Sequence, residues 1–138
     1  MWPSLAVWAA VHALVRCTGA CAAATTPRRA ELFAVSLVHA ALVTWNGFFD
    51  PVLPWRTLLS WMAGYFAYDV AWTWRWMTPT IAMHHACALW VMVSALDDPA
   101  VVPLLPILCR VELSTVFLNI VYLQRQLGLE RSAARACI

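Results

Sequence analysis

The chain has 138 residues, 63% of them hydrophobic and 12% charged, with a mean hydropathy of +0.71, a composition outside the range of soluble globular domains. Nine Arg and no Lys stand against seven acids, and a formal charge of +2 is too small to imply nucleic acid as a partner. The same arithmetic excludes disorder, a coiled coil and a secreted disulfide scaffold. At about 20 residues per crossing it leaves room for at most about six membrane spans and no large separate domain.

Five apolar stretches, delimited by Pro, Asp and Arg, lie at 4–24, 31–49, 56–74, 79–96 and 100–123. The first belongs to a segment, 1–27, that reads as an uncleaved transmembrane helix. The small residues Cys21, Ala22, Ala23 and Ala24 make a signal peptide the alternative, against which stand a leader without Lys or Arg and the interruption by Arg16. On this stretch Trp8, His12 and Arg16 recur at i,i+4 as a stripe that packs or snorkels. The second carries Ser36, His39 and Asn46 on one face, and the third Tyr65, Tyr68, Asp69 and Trp72. The fourth holds the adjacent His84 and His85, and the fifth Glu112, Thr115 and Asn119, with Arg110 on the opposite side from Glu112. The linkers are short, so successive spans are antiparallel. The expected fold is therefore all-α: a polytopic transmembrane bundle of about five spans.

Arg28, Arg29, Arg75, Arg125, Arg131 and Arg135 fall on one side, and Arg56 with Asp50, Asp97 and Asp98 on the other. The Arg-rich side is cytosolic, which puts the N-terminus outside or in the lumen and a short tail, 129–138, in the cytosol. Trp2, Trp45, Trp55, Trp74 and Trp76 sit at the ends of the stretches, where an indole prefers the headgroup layer. The five cysteines, Cys17, Cys21, Cys87, Cys109 and Cys137, form no C-x-x-C pair and read as small hydrophobes. Cys17 and Cys21 share a helix face, but at i,i+4 their Cβ atoms lie about 5 to 6 Å apart, too far for an unstrained disulfide. Cys137, beside Arg135, is a weak candidate for lipidation.

Each charged side chain near the bilayer centre costs at least about 2.5 kcal/mol. His39, Asp69, His84, His85 and Glu112 must therefore face a protein interior. Counted from the cytosolic ends at about 1.5 Å per residue, all but Glu112 fall within roughly 12 Å of that surface, Asn119 included. A shared polar cavity opening toward the cytosol gives them all partners. Ser36, Thr115 and Asn119 read first as interhelical hydrogen-bonding glue. Paired His next to a carboxylate at the same depth read as a tuned base.

The stretches R-R-A-E-L-F-A-V-S-L-V-H, G-Y-F-A-Y-D, M-H-H-A and R-V-E-L-S-T-V-F-L-N, in this order, resemble the TLC domain of ceramide synthases and TLC-domain-containing proteins. The likeness runs over 28–128, and E-L-S-T-V-F-L-N is closest to the second branch. The H-D-x-S-D pattern that ceramide synthases carry after the paired His is absent from this sequence. The resemblance implies a TLC-type helical barrel around a lipid cavity. In it His84, His85 and Asp69 match the catalytic set, and His39, Tyr68, Glu112 and Asn119 line the substrate cavity. It also implies acyl-CoA as the candidate co-substrate, membrane lipids as partners, the endoplasmic reticulum as location, and no bound cofactor or metal. Family members usually continue with about two more spans, so the expectation is a C-terminally truncated domain: either part of a longer gene product, or a reduced member whose open barrel is closed by another copy or another chain.

Two functions follow as expectations. One is an acyl-CoA-dependent lipid acyltransferase in which a neutral imidazole acts as base or nucleophile, with Arg28, Arg29, Arg75 and Arg125 attracting the phosphates of coenzyme A. The other is a non-enzymatic regulator of membrane lipid composition or escort of cargo. A metal or haem site built from His39, His84, His85, Asp69 and Glu112 is a third and weaker reading, because four His are too few for a di-iron cluster.

Overall fold

A computed structural model describes residues 2–49 and 53–129. Five helices run in order: α1 (Trp2–Cys17), α2 (Pro27–Phe48), α3 (Trp55–Thr73), α4 (Pro79–Asp97) and, after a 3-10 segment (Pro99–Leu104), α5 (Leu105–Gln126). Asp50, Arg131, Arg135 and Cys137 lie outside the described residues. Three segments are long and apolar enough to cross a membrane: Pro27–Phe48, Pro79–Asp97 and Ala100–Gln126.

The helix ends follow local chemistry. α1 stops at Cys17 instead of running on through Ala24, because Gly19 takes φ +65° and its N–H bonds back to the Arg16 carbonyl. α2 starts four residues before Glu31, with Pro27 in its first turn, where a missing N–H costs nothing. Thr78 caps α4 by accepting from the Ile81 N–H, again with Pro in the first turn. The fifth stretch begins at Pro99 as a 3-10 turn: Asp98 accepts from the Ala100 N–H, and Pro103 and Pro106 withhold donors until the α-helical ladder is established.

Helices α2 and α5 form the main pair. Both have 22 residues, about 33 Å, enough for a bilayer's hydrocarbon core. They run antiparallel in a register fixed at four levels. At one end the Arg110 Nε donates to the Gly47 carbonyl at 2.7 Å. Further along, the Asn119 Nδ2 donates to the Ser36 Oγ at 2.9 Å, and the rings of Phe33 and Tyr122 stack at 4.9 Å. At the other end the hydroxyls of Thr25 and Thr26 reach the Gln126 side chain, and the Thr25 N–H donates to the Gln126 carbonyl at 2.9 Å.

On the other side of α2, α1 packs against α3. The Trp8 indole donates to the Trp61 carbonyl at 2.9 Å, and Gly64 lets Ser4 approach so closely that a Cβ there would lie 2.6 Å from the Ser4 Cβ. The core between these layers is Trp8, Val35, Val43, Leu58, Leu59, Phe66 and Tyr68. α4 packs on α3 and on the 3-10 segment. It has no comparable contact with α5, and only His85, Met92 and Ala95 are buried along it.

Gly47 is the closest point of the α2–α5 pair. A Cβ added there would lie 2.8 Å from the Cys109 Cβ and 2.9 Å from the Arg110 backbone nitrogen, neither of which can swing aside. Gly47→Ala is expected to cost about 1–3 kcal/mol through overpacking, read as a lower midpoint of thermal unfolding in detergent. An unchanged midpoint would show that the helices separate there freely.

Candidate functional site

Diverging α4 and α5 leave a cavity of about 640 Å³, walled by α2, α3, α4 and α5, within the usual range for small-molecule sites. Along α5 it runs from Val111 to Tyr122, eleven residues or about 16 Å. Leu32, Phe33, Phe66, Ile81, Val111 and Leu118 are among its apolar lining. Its mouth carries Arg29, Trp76 and Met77 at the Arg-rich end.

Asp69 on α3 and His85 on α4 meet on the cavity wall. The His85 Nε2 lies 2.7 Å from the Asp69 Oδ2, and both residues are buried, at 7% and 9% exposure. An ionised carboxylate only accepts, so Nε2 carries the proton and donates. The lone pair of a neutral ring then stays on Nδ1, which is buried without a hydrogen-bond partner. Adjacent His84 is exposed and also lines the cavity, its ring 5.6 Å from that of His85. Of the adjacent pair, His85 is held by Asp69, while no hydrogen bond to the His84 ring is present among the described residues.

His39 enters the same wall from α2. It stacks on Tyr65 at 3.8 Å between centroids, with the edges of Trp8 and Phe66 completing an aromatic cage, and neither ring nitrogen has a partner. Phe66 touches His39, His84 and His85 alike. Glu112 is half-buried and lines the cavity near its far end. Asn119 does two things: it lines the cavity and, as expected of interhelical glue, bonds Ser36.

Tyr68, by contrast, is not on the cavity wall. It is fully buried, with its hydroxyl 2.7 Å from the His12 Nδ1. The His12 Nε2 lies 3.3 Å from the Glu31 Oε2, and the Arg16 Nε 3.9 Å from the Glu31 Oε1. The first-span stripe is thus a polar tie from α1 to α2 and α3, in which Glu31 orients His12 and His12 accepts from the Tyr68 hydroxyl. Arg110, whose partner the sequence leaves open, bonds the Gly47 carbonyl and lies over the Phe48 ring at 5.4 Å.

Sequence reasoning missed Phe66, which sits one position off the polar stripe of α3 and looks like ordinary core. It also missed Glu31, an acid one turn into α2 that carries no motif of its own. No group of three or more His, Cys, Asp or Glu side chains converges as a metal site among the described residues. Cys17, Cys21, Cys87 and Cys109 are free thiols. Cys21, in the α1–α2 loop, has its thiol pushed up from the ordinary value by burial and by Glu31, so it stays protonated and a poor nucleophile.

An apolar cavity with a buried carboxylate–imidazole pair on its wall, set in a bundle of apolar helices, defines a polytopic membrane protein. The chain matches the TLC domain over residues 4–138 and belongs to that family. It is accordingly an integral membrane protein of lipid metabolism or sensing. Comparison with curated proteins and with solved structures found no match.

Asp69→Ala removes the acceptor and strands the His85 N–H; a loss of about 1–3 kcal/mol is expected, against a smaller one for Asp69→Asn, which retains a carbonyl oxygen. Thermal unfolding gives the ranking, and ¹⁵N spectra of His-labelled protein give the tautomer. A His85 ring protonated at Nδ1 rather than Nε2 would contradict the assignment.

Proposed function

We propose that the chain transfers a fatty acyl group from acyl-CoA to a lipid acceptor in the cavity, within the endoplasmic reticulum membrane favoured by its resemblance. The observation that carries this reading is the 2.7 Å Asp69–His85 bond on an apolar cavity wall with the free imidazole of His84 beside it. Neutral His84 takes the proton of the acceptor hydroxyl or amine as that oxygen or nitrogen attacks the thioester carbonyl. The new ester or amide bond forms, the carbon–sulfur bond breaks, and the thiolate of coenzyme A leaves and receives the proton. His85, fixed by Asp69, is a positioning residue for the wall on which His84 stands.

The rim chemistry supports the donor. Arg28 and Arg29 lie 5.7 Å from the same Trp76 ring, Arg75 lies 5.2 Å over Trp74, and none of the three has a carboxylate within ion-pair distance among the described residues. Such cations suit the phosphates of coenzyme A. The gap between α4 and α5 is where we propose that a second copy or another chain closes the barrel.

Purified protein in lipid nanodiscs, given acyl-CoA and extracted membrane lipids, should release free coenzyme A and form an acylated product. His84→Ala should lower that rate about 10²–10⁴-fold, the usual contribution of a positioned base. Product formation that survives His84→Ala and His85→Ala would overturn the reading.

A second reading has its own observation. α4 has little other buried surface, so the Asp69–His85 bond also works as a latch between α3 and α4. In a non-enzymatic protein that senses or regulates membrane lipids, a lipid entering beside α4 would strain that latch. The wild-type chain would then yield no product, and His85→Ala would change lipid retention and melting behaviour instead.

A further inference from the structure

A second pocket, of about 540 Å³, lies at the opposite end of the bundle, where Gly47 at the end of α2 meets the start of α5. It is lined by Asn46, Phe48, Phe49, Trp55, Pro106 and Arg110 around that glycine. Its depth follows from α2: Arg29 and Trp76 mark the cytosolic end, and about 30 Å further along the helix axis Gly47 reaches the other headgroup layer. The exposed aromatics Trp45, Phe48 and Phe49 agree with that level.

Among the described residues, Arg110 is the one cation on the pocket wall. Its Nε is used up, donating to the Gly47 carbonyl, one of those a helix end leaves without an intrahelical partner. This bond and the Phe48 ring over the guanidinium hold the plane of the group in place. Its four other N–H donors make no hydrogen bond or ion pair to the described residues, while the side chain is exposed. Asn46 is already satisfied within the protein: its Nδ2 donates to the Leu42 carbonyl and its Oδ1 accepts from the Leu53 N–H. A fixed guanidinium fork with vacant donors beside aromatic walls suits a planar pair of anionic oxygens. At this level of a bilayer the abundant groups of that kind are phosphates.

We propose that this outer pocket binds a phosphate group through the Nη donors of Arg110, as carried by a phospholipid of the non-cytosolic leaflet. The aromatic residues Phe48, Phe49 and Trp55 would lie along the glycerol backbone and the first methylenes. The site is independent of the acyl-transfer reading, because the two pockets share no residue.

Native mass spectrometry of the full chain released from nanodiscs tests this with three probes: phosphatidylglycerol, a phosphate-free galactosyl diacylglycerol, and inorganic phosphate added at physiological ionic strength. The wild type should retain phosphatidylglycerol well above the galactolipid. Arg110→Gln should weaken that retention about 10- to 100-fold, the range for a charged hydrogen-bonded pair. Because Arg110 also caps α2, Arg110→Lys serves as the variant that keeps a charge near Gly47 but loses the fork, and it should fall between the two. Phe49→Glu, which puts an anion on the rim, should weaken retention while leaving the Arg110–Gly47 bond in place. Displacement of the bound lipid by inorganic phosphate would assign the same site to the free ion. Equal retention of both lipids, or retention unchanged by Arg110→Gln and Phe49→Glu alike, would overturn the proposal.

Discussion

The antiparallel contact between α2 and α5 is the constraint on which the rest of the bundle depends. In a bilayer there is no hydrophobic drive between apolar helices, so association relies on close approach and on buried hydrogen bonds. This pair has both. Gly47 brings the backbones together, the part-buried Ser36–Asn119 bond sets the register where an apolar interface alone would slide, and the exposed Thr26–Gln126 bond closes the end. Every polar group of the cavity contributed by α2 or α5 takes its height from that register. Had the two helices slipped by one turn, about 5.4 Å, His39 and Glu112 would no longer share a wall with His85.

The other helices hang from this frame with graded firmness. α1 and α3 are tied by Trp8, by the Ser4–Gly64 contact and by the Glu31–His12–Tyr68 link, so that side of the molecule is densely packed. α4 depends on few buried residues, of which one, His85, is also the centre of the candidate site. The cavity thus has one lightly held wall, and His85 is also the residue that fastens that wall to α3. Both proposed readings, acyl transfer and lipid sensing, draw on this arrangement.

Much of this was legible in the sequence because the membrane simplifies the rules. Apolar stretches between Pro, Asp and Arg mark out the helices, and helical periodicity placed His39, Asp69 and Glu112 on the faces that line the cavity. Asp69 and His85 read as neighbours from depth alone, and they are. Tyr68 shows the limit. Periodicity set it on one broad face with Tyr65 and Asp69, and the resemblance carried it into the cavity, yet the step of about 100° from Asp69 turns it toward α1 and into the reach of His12. Periodicity says which residues share a face, not which neighbour that face meets. The pairing of α2 with α5 was invisible for the same reason, since it joins Ser36 to Asn119 across most of the chain. The rim Arg illustrate another ambiguity: the positive-inside rule accounts for their side of the membrane, whatever they bind.

That long-range pairing has a consequence for biosynthesis. α2 emerges with Ser36, His39 and Asn46 on it while Asn119 and the rest of α5 are still unmade. At ribosomal rates of about 5–20 residues per second, the 71 residues between Phe48 and Asn119 take roughly 4 to 14 s. Through that interval the second helix must wait at the translocon or in the lipid with its polar stripe unmatched, sheltered by α1 and α3 alone. A nascent chain paused between α4 and α5 would be a species exposed to quality control, and the entry of α5 is what gives the polar stripe of α2 its partners.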